Sequence, residues 1–236
     1  GAGGAGSEPP PPSAPSFNGS LGFSFGPFEH DSDEHRCFLV ESNAAAPYLR
    51  ALRVEASELG AVHHMMLFTL PQATDRGAAE ALDAIDEPSG WVCATGTGIS
   101  GAELASVWTP GAPVTAFPDG TGVLLPSGPL VVQLHLGTPE DREGATVRVN
   151  LDLVPTVDRP LSLYPVAATG FALPPGLPAT TWTETVPFAA PDMSIYGVLP
   201  HMHTRGLSLS LLGPDGCLVN APRWDYGQQE LALYDT

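Results

Sequence analysis

The residues of this chain best suited to chemistry are its histidines: His30, His35, His63, His64, His135, His201 and His203. His63, His64, His135, His201 and His203 stand inside apolar, strand-like runs. Imidazole is a good ligand for copper and zinc, and an unpaired polar ring in an apolar interior is costly. One histidine so placed is ordinarily a core ring with satisfied nitrogens, but five are harder to account for without a metal. In Leu199-Pro200-His201-Met202-His203, an extended backbone projects His201 and His203 to one face, so both can reach a single ion. The competing reading is two half-exposed rings on that face. In Val62-His63-His64-Met65-Met66-Leu67-Phe68 the two histidines are adjacent, and regular pleating sends them to opposite faces. Either a bulge or a strand end re-aims one ring, or only one is a ligand. His135, in Gln133-Leu134-His135-Leu136-Gly137, is a single strand histidine, a pattern more often structural than functional. His30 and His35 belong to the acidic segment 29–36 and are expected to face solvent.

Strands must position these rings. Hydrophobic residues make up 43% of the 236 residues, enough for a core, and the 26 glycines and 26 prolines suit many short strands joined by turns. Residues 146–153 alternate with period 2, and 38–40, 52–56, 62–70 and 130–136 are further strand signals. Turns are expected at Pro118-Asp119-Gly120, Pro126-Ser127-Gly128 and Pro214-Asp215-Gly216. Residues 75–85 are Ala-, Glu- and Leu-rich but short and flanked by Pro71 and Pro88, so they predict a loop insertion at most. The chain divides into a Gly/Pro-rich tether over 1–16, a first β unit over 17–157 and a second over 158–236, with a link at 155–160. In the second unit, strand signals fall at 161–171, 181–186, 194–199 and 207–212. That unit is short for a complete sandwich and is expected to be truncated. A net charge of −17 is repelled by phosphate backbones and anionic lipid, so no nucleic-acid partner is expected. No segment is long and apolar enough for membrane insertion.

Three segments, Val62-His63-His64-Met65-Met66-Leu67-Phe68, Gln133-Leu134-His135-Leu136-Gly137 and His201-Met202-His203, match in order and spacing a known pattern. From about Arg36 onward the chain resembles the copper type II ascorbate-dependent monooxygenases, the family of peptidylglycine alpha-hydroxylating and dopamine beta-monooxygenases. The resemblance implies an all-β chain of two jelly-roll-like antiparallel β-sandwich domains, the second incomplete here, with a solvent-filled cleft between them. It implies an electron-transfer copper on His63, His64 and His135, and an oxygen-activating copper on His201 and His203 together with a methionine further on. It further implies ascorbate as reductant, O2 as co-substrate, hydroxylation of a C–H bond in a small-molecule or peptide-like substrate, and a Cys37–Cys93 disulfide.

Met65, Met66, Met193 and Met202 are better suited to apolar packing than to that missing thioether position. Where peptide-amidating members carry a carboxylate-gripping arginine, this chain has Leu199, so peptidylglycine is not the expected substrate; Leu199 and Tyr196 suggest an apolar or aromatic one. Arg205 is read as a solvent residue, and residues 223–226 as either a buried aromatic strand or an anion site. Cys217 is either a small buried thiol or half of a second disulfide. The disulfide and the tether imply a secreted, periplasmic or surface-tethered protein. The alternative function is a non-catalytic secreted copper-binding or electron-transfer protein that keeps only the first copper site.

Overall fold

The alternating and apolar runs form ladders. The structure, a computed structural model, describes residues 15, 17, 21–29, 35–42, 46–58, 60–85, 90–93, 96–110, 114–166, 170–187, 194–203, 205–225, 229 and 231–234. Most of the tether, His30, Met193 and Tyr226 lie outside the described residues. The first strands are β1 (Leu21–Phe25), β2 (His35–Ser42), β3 (Tyr48–Ala56), β4 (Val62–Thr69) and β5 (Trp91–Val92). They are followed by β6 (Glu103–Trp108), β7 (Val114–Ala116), β8 (Thr121–Leu124), β9 (Gly128–Leu136), β10 (Val147–Val154) and β11 (Arg159–Leu161). Four short strands close the series: β12 (Gly197–Val198), β13 (Leu209–Gly213), β14 (Gly216–Ala221) and β15 (Ala232–Leu233).

Two sheets build an all-β sandwich. The first runs β1-β10-β3-β8-β11, with β7 also on β3, and the second runs β5-β2-β9-β4-β6. Every pairing is antiparallel except β11 on β8. Period-2 alternation decides what each strand buries. Val147, Val149 and Leu151 of β10 point inward, and so do Leu130, Val132, Leu134 and Leu136 of β9. They meet Leu49, Leu52, Met65 and Leu67 in the core between the sheets.

The outer face of the second sheet is covered as well. Helix α1 (Ala73–Asp83) packs Ala79 onto a second cluster of Cys37, Leu70, Trp91, Cys93, Ile99 and Val131. This stretch, expected as no more than a loop insertion, is a full helix. Its alanines favour helix, Asp75 accepts from the Gln72 backbone N–H (3.2 Å) in the first turn, and its apolar side has a surface to bury against. Cys37 and Cys93 are joined by a disulfide, with Cα atoms 5.9 Å apart. Gln133 Nε2 lies 3.5 Å from the Cys93 sulfur and donates to Gly96 O (3.1 Å), so the loop after β5 is fastened to β9.

The second unit departs from expectation. Residues 161–171 and 181–186 carry strand signals in the sequence, yet after β11 the described residues up to 187 form no strand. Pro165, Pro174, Pro175, Pro178 and Pro187 remove ladder donors, and Tyr164, Leu173, Leu177 and Trp182 stay exposed. The segment read as a link runs directly into β11, at the edge of the first sheet. Beyond it, β12 pairs with β15, and β13 with β14 as a hairpin turning at Pro214-Asp215. Residues 222–225 form no strand, and Arg223 and Asp225 are exposed. Cys217 is exposed with a free thiol.

The disulfide closes a loop across a sequence separation of 56. Loop-closure entropy of that size is worth about 4 kcal/mol. The Cys37→Ser/Cys93→Ser double variant is expected to lose stability of that order in urea unfolding; an unchanged midpoint would show that the second cluster holds without the bond.

Candidate metal centre

The pairing of β4 with β9 contains the first determinant of the site. Val62 pairs with Leu136 and His64 with His135, and the register shifts between Val62 and His64. Two residues of β4 thus oppose one of β9, which is a β-bulge. The packing reports the same event: Val62 and Met65, three apart, both point into the sandwich core, which uninterrupted alternation forbids. The bulge anticipated as one way to bring His63 and His64 together is present, and both rings are buried beside His135.

Space for the bulge comes from Gly137. Its N–H donates to Ala61 O (2.9 Å), and a Cβ there would stand 1.9 Å from Gly60 O. The short helix α2 (Pro139–Arg142) follows, and its buried Arg142 donates to Gly137 O (2.9 Å), fixing the turn below His135.

On the outer face of the second sheet, three histidines form a cross-strand row. His35 of β2 pairs with His135 of β9, which pairs with His64 of β4. The His35 and His135 rings stack with centroids 3.8 Å apart at 19°. His35 was expected to face solvent, and the structure corrects this: it is the half-buried first residue of β2. Its acidic neighbours concealed the clue that it shares parity with Cys37, and therefore the covered face.

His201 and His203 arrive from the other end of the chain. Contrary to expectation they are not on a strand: β12 ends at Val198, and Pro200 offers no ladder N–H. Both rings nonetheless reach the bulge. Ring centroids are 4.7 Å apart for His63–His203, 5.5 Å for His63–His201, 5.1 Å for His64–His201 and 5.6 Å for His135–His203. The resemblance implied two ligand sets across a cleft, whereas here all five rings form one cluster.

Gln229, which the sequence did not single out, explains the approach. It is fully buried, its carbonyl accepts from Thr109 Oγ1 (2.7 Å), and its backbone N–H reaches Pro110 O (3.4 Å). Its side-chain Oε1 lies 2.7 Å from His201 Nδ1. With Nδ1–H donating to this oxygen, Nε2 of His201 is left with the lone pair, the arrangement that orients a metal-ligating imidazole.

The donor set suits a borderline metal ion. The ligating nitrogens of His63, His64 and His201 lie within 4.8 Å of one another, as do those of His63, His135 and His203 and those of His35, His64 and His135. His135 Nδ1 is 3.3 Å from His64 Nδ1 and 2.7 Å from His63 Nδ1. Metal–nitrogen bonds of about 2.0–2.1 Å in tetrahedral geometry put donors about 3.3 Å apart, so the first spacing already fits. The second is an N–H···N hydrogen bond, whose proton a bound ion would replace.

Burial, reinforced by repulsion from His135, His201, His63 and His35, pushes the His64 ring from 6.5 down to about 2. Burial also lowers His201, partly offset by the Gln229 hydrogen bond, and His203 lowers it further. These rings are held neutral, which is the ligating form.

The other residues considered above lie elsewhere. Met65 is in the sandwich core, and Met202 lies over Gly206 beside Trp224. Arg159 sits over the Tyr196 ring at 5.6 Å. Arg205 is exposed, as expected.

Two outcomes are expected. In metal-free protein the unfolded chain takes up protons below pH 6.5, while folded His64 refuses them until about pH 2. Stability is therefore complete above pH 6.5 and falls as pH drops, by up to about 1.4 kcal/mol per unit for this group. Urea unfolding at pH 7.5 and 4.5 measures the fall, and His64→Phe should flatten it. Gln229→Ala should weaken metal held through His201 by about 10- to 100-fold in competition titrations; unchanged affinity would reduce Gln229 to a packing residue.

Neither a protein-family model nor a curated protein matches the chain.

Proposed function

We propose that this protein is a copper- and ascorbate-dependent monooxygenase that hydroxylates a C–H bond of a small organic or peptide-like substrate with O2. The observation that carries the reading is the convergence of His63, His64, His135, His201 and His203 on the β4 bulge. His63, His64 and His135 would hold one copper, and His201 and His203 the other. Bound copper supplies a Cu(II)/Cu(I) couple able to take electrons from ascorbate and activate O2; overall, a C–H bond, O2, two electrons and two protons give C–OH and water.

The chain's own groups have definite tasks. The imidazoles offer ring-nitrogen lone pairs, and on loading the Nδ1 proton shared by His63 and His135 would move to a ring Nε2, leaving both rings neutral ligands. Gln229 orients His201. Burial of His63, His64 and His135 keeps water from that side, while exposed His203 leaves the other open to substrate and reductant. The Cys37–Cys93 bond supports a secreted, periplasmic or surface-tethered setting, because such bonds persist in oxidising compartments. Among the described residues, no helix is long and apolar enough to cross a membrane.

A second reading, a non-catalytic copper-binding or electron-transfer protein, is favoured by the positions of the methionines. Met65 and Met202 are engaged in packing, and the ligand groups formed by the described residues are imidazoles, which lack the softness by which a thioether favours Cu(I).

Copper stoichiometry after dialysis, followed by ascorbate-driven O2 consumption, tests both readings. Two coppers, one lost in each of His63→Ala and His201→Ala, with O2 uptake abolished in both, is the expected result. One copper lost only with His63→Ala, and no O2 uptake, would establish the second reading. No copper above background would overturn both.

A further inference from the structure

We infer that His35 is itself a metal ligand, forming with His64 and His135 a three-imidazole site on the outer face of the second sheet. The inference rests on the copper-binding reading but changes which residues share an ion.

The register places His35 directly opposite His135, and His135 opposite His64, on three adjacent strands. Same-face neighbours on paired strands stand within reach of one another, and here the three ligating nitrogens fall within 4.8 Å. The His135–His64 Nδ1 spacing of 3.3 Å matches a tetrahedral edge, whereas His135–His63 at 2.7 Å must widen before both can bind one ion. The row therefore has its His64–His135 edge already at ligating distance, and His35, stacked on His135 at 19°, has to turn its ring plane for its in-plane lone pair to reach the same ion.

Membership decides the rest. The three histidine triads share residues pairwise: His64 belongs to two, His135 to two and His63 to two. With one donor nitrogen per ring, filling one triad excludes the other two. If the row is filled, the histidines left at the cluster are His63, His201 and His203. Their ring centroids lie 4.7, 5.5 and 5.3 Å apart, so they are neighbours whose nitrogens have to draw together before all three could share a second ion. His35 thereby frees His63 to complete the set that His201 and His203 begin, at the place where a thioether would otherwise be needed. Three nitrogen donors on each ion suit copper or zinc.

Stacking alone also explains the contact of His35 with His135, and the test separates the two roles. His35→Phe keeps a flat ring on His135 and removes only the donor nitrogens. Equilibrium dialysis against Cu(II) on the full chain, with the Cu(II) electron paramagnetic resonance spectrum of the loaded protein, is the measurement. The expected result is two coppers in the unaltered chain, with one lost or bound at least tenfold more weakly in His35→Phe, and a changed spectrum. If His35→Phe folds poorly, as judged by urea unfolding of the metal-free protein, His35→Gln reads the same count. Equal stoichiometry, affinity and spectrum in the variant would overturn the role of His35 and leave the copper reading standing. Absence of copper from the unaltered chain would remove both.

Discussion

Two residues of β4 sit against one residue of β9, and most of the molecule's distinctive character follows from that mismatch. Without the bulge, Val62 would share a face with His64 and Met66, and the core between the sheets would lose its contribution. With it, the strand keeps Val62, Met65 and Leu67 in the core and still delivers two adjacent imidazoles to the same side of the sheet end. The bulge depends in turn on the bare backbone of Gly137, where any side chain would meet Gly60. A packing rule and a chemical requirement are thus met by one local irregularity.

The outer face of the second sheet grades from structure to chemistry. At one end Leu39, Val131 and Phe68 lie under helix α1. One rung on, Gln133 lies against the Cys37–Cys93 sulfurs. At the next rung the three strands carry His35, His135 and His64. The disulfide-bonded cluster stiffens the strands just before they present their imidazoles. Burying so many rings side by side is unfavourable for any protonated form and leaves close nitrogen–nitrogen approaches. A bound cation resolves both, since it consumes the lone pairs and favours the neutral rings that burial already imposes.

The C-terminal residues matter less as a second layer of sheet than as a strap. Among the described residues beyond β11 there are only two short strand pairs, and residues 170–187 are almost wholly exposed. Gln229 is nevertheless fully buried against Thr109 and Pro110, and it holds His201. That attachment draws the His201–His203 segment onto the end of β4, so rings expected across a cleft are in contact.

Much of this was legible in the sequence, because strand alternation and turn residues are local signals. Residues 130–136 and 146–153 encode β9 and β10 in their own period, and prolines and glycines mark the turns around them. The apolar setting of five histidines pointed to a metal centre, and adjacency at His63–His64 raised the bulge as an alternative. Tertiary structure decided the rest. Residues 73–83 became a helix because Trp91, Cys93 and Ile99 gave its alanine face somewhere to pack. Residues 181–186 did not become a strand because no neighbouring ladder received them. His35 was legible only as an exposed acidic-loop histidine until pairing set it opposite His135. Gln229 carries no local signal at all, since its role exists only through atoms far away in sequence, at Thr109 and His201. Local sequence determined which residues would lie in strands and which face each would show. Which rings meet was decided by register and by long-range hydrogen bonds, which no local pattern encodes.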